Sequence, residues 1–187
     1  MKSSSFEKVA GPDPQVLILG TLPGAASLAC GQYYAQTRNT FWKMMGEIVG
    51  ALQALPYAER LQRLVEWRVA LWDVCAVADR RGSADAAIRL PTVRPNDLAG
   101  FLQSHQTIEL ICFNGARAGG LFRRFVLPTL EKPTRDIRQV ILPSTSPAHA
   151  AMSFENKLTE WQSALRDLRP SKRLQPSSAG AIMSRRS

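Results

Sequence analysis

A few short stretches of the chain concentrate residues able to do chemistry. Gly20-Thr21-Leu22-Pro23-Gly24, followed by Ser27-Leu28, combines two glycines and a proline, suited to a rigid turn that a ligand can approach closely. It fits neither GxGxxG nor GxxxxGK[ST], and no Lys follows it, which disfavours nucleoside triphosphates. Tyr33–Trp42 (YYAQTRNTFW) sets two tyrosines, Arg38 and Asn39 just before an amphipathic segment. Asn39 can cap that helix or offer its carboxamide to a ligand, whereas Phe41 and Trp42 read as core. Asp73 closes one apolar run, ahead of Asp79-Arg80-Arg81-Gly82-Ser83, and Asn114-Gly115 closes another. Pro143-Ser144-Thr145-Ser146-Pro147-Ala148-His149 is rich in hydroxyls and shaped by two prolines. Small hydroxyls and exposed N–H groups suit a grip on phosphates that reads no sequence, although a plain Ser/Pro turn looks the same. His149 has no nearby nucleophile to form a dyad, and His105 reads as a C-terminal cap or surface residue.

The elements that must position these residues follow from apolar spacing. Four β-rich runs, Val16–Gly20, Val69–Val74, Ile108–Phe113 and Gln139–Leu142, are mostly apolar on both faces, as in a buried parallel sheet. Helical spacing links Phe41, Trp42, Met45, Ile48 and Val49, and recurs from Tyr57 to Trp67. Asn96-Asp97 can cap a helix through Leu98, Phe101 and Leu102. Ala116 to Phe125 forms another, and Ser153 can cap a last one carrying Leu158, Trp161, Leu165 and Leu168. Strands separated by helices imply crossovers and a three-layer α/β/α sandwich around a four-stranded parallel sheet. In such a sheet ligands bind at the carboxyl ends of the strands, where the residues above fall.

The whole chain has 187 residues, 45% hydrophobic and 21% charged, which suits one domain with a tail and excludes wholesale disorder. Lys and Arg number 24 against 15 Asp and Glu, a net charge of +9 that favours a polyanionic partner such as nucleic acid. The three cysteines, Cys30, Cys75 and Cys112, are scattered and form no CxxC, which argues against a disulfide framework, a zinc ribbon or an iron–sulfur cluster. The N-terminal segment lacks an apolar signal core, and no apolar run approaches the ~20 residues that cross a bilayer. The expectation is a reduced, soluble, cytoplasmic protein without a membrane partner. The folded domain is expected over residues 1–169. A basic, disordered tail is expected over 170–187, with Lys172, Arg173, Arg185 and Arg186 and no acid.

In this order and spacing, the stretches together resemble the uracil-DNA glycosylase superfamily, and within it the hypoxanthine-DNA glycosylase branch. The carrying residues are Val16–Gly24 (VLILGTLPG), Ser27-Leu28, Tyr33–Trp42, Ala70–Val74 (ALWDV), Arg81-Gly82-Ser83 with Ala87-Ile88, Phe113-Asn114-Gly115 and Leu142–Ala148 (LPSTSPA). The resemblance spans about residues 14–168. It implies a monofunctional DNA glycosylase without metal or diffusible cofactor, and a monomer is expected because one groove must admit an extended duplex. Such an enzyme flips a deaminated base from DNA, hydrolyses its N-glycosidic bond and starts base excision repair.

Residue by residue, other branches place a water-activating Asp or Asn in the first loop; Leu22 stands here and cannot orient water. The catalytic asparagine of the hypoxanthine branch resembles Asn39, whose neutral amide can hold a water against the anomeric carbon. Thr37 stands where proline is expected. Ser144 takes the place of a histidine that some uracil enzymes aim at the leaving base. Gly20, Thr21, Leu22, Pro23, Gly24, Tyr34 and Asp73 are expected against the substrate base, with Asp73 able to accept N1–H of hypoxanthine. Asn114 is expected to recognise the base or support its departure, or else to cap the following helix. Ser144, Thr145, Ser146, Pro147, Ala148, His149 and Arg38 are expected on the DNA strand. Arg80, Arg81 and the tail are further candidates for phosphate. Excision of uracil or xanthine, or a non-catalytic nucleic-acid-binding paralogue, are the competing readings. A metal phosphohydrolase is weaker, because no acidic cluster falls at the strand ends.

Overall fold

β2 (Val16–Gly20), β3 (Val69–Asp73) and β6 (Leu110–Asn114) are buried along their whole length. A strand with no solvent face needs a cover on both sides. The structure, a computed structural model, describes residues 2–82 and 84–171 and supplies both covers. With β7 (Arg138–Leu142) these strands make a parallel sheet in the order β3-β2-β6-β7. Alternate side chains face opposite layers. Leu17 and Leu19 join Trp72, Phe113, Leu98, Phe101, Leu121 and Phe122 in one cluster. That cluster lies under α4 (Leu98–Ser104) and α5 (Ala116–Phe125). Val16 and Ile18 join Leu71, Cys112, Phe41, Met45, Leu64 and Trp161 in the other. Of these, Phe41 and Met45 come from α2 (Phe41–Val49), Leu64 from α3 (Tyr57–Glu66) and Trp161 from α6 (Phe154–Ala164). The result is the expected three-layer sandwich. At roughly 1.5–3 kcal/mol per fully buried large apolar side chain, these clusters hold the sheet rigid beneath the loops.

Capping follows the sequence closely. Asp97 accepts the Gly100 N–H at 2.9 Å to start α4, and the Ser153 hydroxyl accepts the Asn156 N–H at 3.2 Å to start α6. His105 closes α4, its Nδ1 2.9 Å from the Phe101 carbonyl. The third strand starts at Leu110 rather than Ile108, because the Ile108 N–H turns back to the His105 carbonyl at 3.1 Å.

Two features differ from expectation. The stretch after Asp73 is not simply a loop: β4 (Cys75–Asp79) continues almost directly from β3 into a second, antiparallel sheet of order β1-β4-β5, with β1 at Lys2–Ser4 and β5 at Arg94–Pro95. A short helix, α1 (Ala25–Cys30), also follows the first loop. Ser83 and the tail cations Lys172, Arg173, Arg185 and Arg186 lie outside the described residues. Ser171 still docks, its N–H donating to the Glu66 carbonyl at 2.7 Å. Among the described residues no helix is long and apolar enough to cross a membrane.

Candidate active site

The carboxyl ends of the four parallel strands open into a cavity of about 650 Å³. That is within the ~300–1,000 Å³ of small-ligand sites. Its wall takes in the whole first loop, Gly20 to Gly24, then Tyr34, Arg38 and Asn39, then Asp73 and Asn114, and finally Ser144 to His149. The site residues expected from sequence are thus gathered on one cavity from segments far apart in the chain.

The floor is formed where β2 and β3 end side by side, Gly20 paired with Asp73. A methyl group at Gly20 would stand 2.5 Å from Asp73 Oδ1 and 3.0 Å from Tyr34 Oη, so only glycine lets carboxyl and phenol approach each other here. Asp73 is 3% exposed, and the Ser5 hydroxyl donates to its Oδ2 at 3.3 Å. Burial pushes its pKa up to about 7, with the Asp85 charge adding and Ser5 and Arg80 opposing. Tyr34 holds a left-handed backbone (φ 55°) and stacks on Phe41 with ring centroids 4.0 Å apart. Its hydroxyl lies beside Asn114, buried and without an aligned hydrogen bond among the described residues. Burial and the Asp73 charge raise its pKa well above the ordinary phenol range.

Asn114, at the end of β6, does not cap α5; Gly115 takes that position with φ 101°. Its carboxamide faces Thr145 instead. Asn114 Nδ2 donates to Thr145 Oγ1 at 2.8 Å, and the Thr145 N–H donates to Asn114 Oδ1 at 2.8 Å. The Thr145 carbonyl in turn accepts from the Thr40 N–H at 3.0 Å. Next to Thr40, Asn39 Oδ1 accepts the Phe41 N–H at 3.0 Å, satisfying an otherwise unpaired donor of the first turn of α2. Asn39 therefore steadies the helix start and lines the cavity at once. Among the described residues no group of three or more His, Cys, Asp or Glu side chains is placed to hold a metal.

The uracil DNA glycosylase superfamily model matches residues 7–169. The chain belongs to that superfamily. It is 34% identical over 167 residues to a protein of Methanosarcina acetivorans named hypoxanthine DNA glycosylase, covering 89% of this chain and 99% of that one. It is 34% identical over 120 residues to a protein of the same name from Methanosarcina barkeri, covering 64% of this chain and 75% of the relative. Its fold is like that of a solution NMR structure from Methanosarcina acetivorans, described as a candidate uracil DNA glycosylase. The TM-score is 0.74, at 32% identity, over 89% of this chain and 98% of the other.

Within this superfamily fold, some residues stand differently from expectation. Arg80 does not face solvent. It is 2% exposed, and its guanidinium donates to the carbonyls of Leu22, at 3.2 Å, and of Pro23, with Asp85 3.6 Å away. It buttresses the first loop from beneath, because a buried cation needs acceptors close by. Leu22 borders the cavity but packs mainly in the core beneath it. Thr145 is 1% exposed, so it holds the last loop in place rather than gripping a phosphate. Tyr33 is core, its hydroxyl donating to the Glu7 carbonyl at 3.2 Å.

Sequence reasoning missed Ser5 and Asp85 and gave Ser27 no role of its own. Ser27 Oγ accepts the Ala35 N–H at 3.2 Å and so ties α1 to the Tyr34 segment. Asp85, its pKa raised by burial, lines the cavity beside Thr21. No local signal marked Ser5, whose partner Asp73 is distant in the chain, and the proximity of Asp85 to Arg80 could not show that it lines the cavity. Ser27 stood among the residues that carry the family resemblance.

Proposed function

We propose that this chain is a monofunctional DNA glycosylase that removes hypoxanthine from DNA by hydrolysing its N-glycosidic bond. The observation that carries the reading is the convergence of Asn39, Asp73, Asn114 and Tyr34 on one cavity of about 650 Å³, large enough for an everted nucleoside. The family assignment and the two relatives named for this activity support it.

Bond cleavage puts positive charge on the sugar and negative charge on the departing purine. Asn39 holds the attacking water. Its oxygen is already fixed by the Phe41 N–H, so the carboxamide is oriented before substrate arrives. Asp73 and Tyr34 meet the base edge at the floor. As a carboxylate, Asp73 accepts N1–H of hypoxanthine and repels the N1 lone pair of adenine. Asn114, locked to Thr145, fixes the wall against which the base leaves. The outer part of the last loop, from half-buried Ser146 and Pro147 to exposed Ala148 and His149, faces the strand.

The test is single-turnover cleavage of duplexes carrying hypoxanthine, xanthine, uracil or no lesion. The expected result is an alkali-labile abasic site at hypoxanthine and a rate lower by orders of magnitude for Asn39→Ala. Faster release of uracil than of hypoxanthine would move the substrate assignment. No abasic product from any duplex would overturn the reaction.

A further inference from the structure

A second, smaller cavity of about 180 Å³ shares Arg38, Ser146, Pro147 and His149 with the main one and adds Phe154 and Lys157. Lys157 is the fourth residue of α6 and only 5% exposed. Its ammonium donates to the His149 carbonyl at 2.6 Å, which accounts for one of its three N–H groups. Among the described residues it makes no ion pair, and burial alone shifts its pKa, downward. Lysine is rarely buried without a counter-charge. The amino end of a helix, where partial positive charge already gathers, is an unfavourable place for one. A further cation stands close by, Lys43 with Nζ 3.9 Å from the centre of the Phe154 ring. The neighbouring acid, Glu155, is fully exposed and interacts with Lys43 rather than Lys157.

Resting on the DNA reading above, we propose that this smaller cavity is a phosphodiester subsite. In it Lys157 and Arg38 receive one backbone phosphate of the strand whose nucleotide enters the main cavity. The phosphate supplies the charge that Lys157 lacks. The Lys157–His149 bond then fixes the loop from Ser146 to His149 at the height of the backbone. Free phosphate offers the same chemistry, and the experiment separates the two sources.

Affinity for a duplex with an uncleavable 2′-fluoro deoxyinosine is measured against salt for the wild type, Lys157→Met, Lys157→Arg and Arg38→Gln. Thermal melting checks that each variant folds. Each phosphate contact contributes about 0.9 to the slope of log affinity against log salt. The expected result is a slope shallower by about one unit for Lys157→Met and for Arg38→Gln, and a near-native slope for Lys157→Arg. Replacing single phosphates near the lesion with neutral methylphosphonates should reveal one position that weakens wild-type binding about tenfold but leaves Lys157→Met unaffected. An unchanged slope in a folded Lys157→Met, even with weaker binding, overturns the proposal, because a purely structural lysine releases no counterions. Binding of inorganic phosphate with no change in the DNA slope overturns it too. Because the duplex is uncleavable, a shallower slope sustains the subsite even if excision fails.

Discussion

Asn114 and Thr145 exchange two hydrogen bonds of 2.8 Å across the ends of neighbouring strands. Each partner supplies one donor and one acceptor, and both are buried. Through the Thr145 carbonyl the pair reaches Thr40, and so the segment that carries Asn39. Thr145 therefore fastens together the end of β6, the segment that carries Asn39 and its own loop.

Thr145→Val removes the hydroxyl and leaves Asn114 Nδ2 without its acceptor. An unsatisfied buried donor costs about 1–3 kcal/mol. We expect that loss in denaturant unfolding, together with slower excision, and recovery of both by Thr145→Ser. A double-mutant cycle with Asn114→Ala should be non-additive. Additive effects would show that the two side chains act separately.

Asn39→Ala deletes an acceptor for the first turn of α2 as well as the proposed water holder. Stability should fall by about 1 kcal/mol, the usual net worth of one hydrogen bond, while the rate falls far more. Asn39→Asp keeps the acceptor, so its melting temperature should stay near that of the wild type. Equal stability of the Ala and Asp variants would argue that the Phe41 contact carries no energy.

Asp73 sets a pH dependence of stability. Its folded pKa of about 7 lies above the usual carboxylate value, which is near 3.9 in an unfolded chain. Between about pH 4 and 7 the folded protein keeps a proton that the unfolded chain has lost, so stability falls as pH rises through that window. Asp85, also raised, adds the same sign. Asp73→Asn should flatten the profile in part and melt higher than the wild type at pH 8. A wild-type melting temperature that rises from pH 5 to pH 8, with Asp73→Asn tracking it, would count against a buried neutral acid.

The same proton bears on selectivity. A neutral carboxylic acid can pair with the edge of either hypoxanthine or adenine, because it both donates and accepts; a carboxylate favours hypoxanthine alone. Discrimination between the two bases should widen by roughly tenfold or more as pH rises through 7, in line with the cost of one mismatched buried hydrogen bond. The ratio of single-turnover rates on matched duplexes at pH 6 and 8 measures it. A flat ratio would remove Asp73 from base reading.

Gly20→Ala tests the floor by volume. Its methyl would press on Asp73 Oδ1 at 2.5 Å and Tyr34 Oη at 3.0 Å. Overpacking of this kind costs about 1–3 kcal/mol. We expect a lower melting temperature and at least tenfold slower cleavage. Native behaviour would place the base elsewhere.

The parallel sheet was legible because its strands are apolar on both faces, a pattern that local residues alone can show. The gathering of the site was legible because it follows from where such strands end. β4 was not, since Cys75–Asp79 becomes a strand by pairing with Lys2–Ser4 and Arg94–Pro95, partners no local window contains. The helix α1 escaped for a related reason: six residues with no side-chain cap leave little periodic signal. Arg80 looked like a phosphate ligand because sequence cannot reveal the Leu22 and Pro23 carbonyls waiting above it. For Asn39 the residues left helix cap and ligand contact as alternatives; Thr40 takes the cap position, while the Asn39 oxygen accepts the Phe41 N–H and the residue lines the cavity.

The order β3-β2-β6-β7 also governs when the cavity can come into being. No neighbouring pair of strands is joined by a hairpin, so every pairing waits on a long excursion of the chain. The last wall arrives with Pro143, whose carbonyl is pinned by Trp161 Nε1 at 3.0 Å. A nascent polypeptide still lacking α6 would hold Asn39, Asp73 and Asn114 but not the Trp161 bond that pins the chain where the last wall begins. Competence for repair should therefore switch on late in synthesis, as a single event.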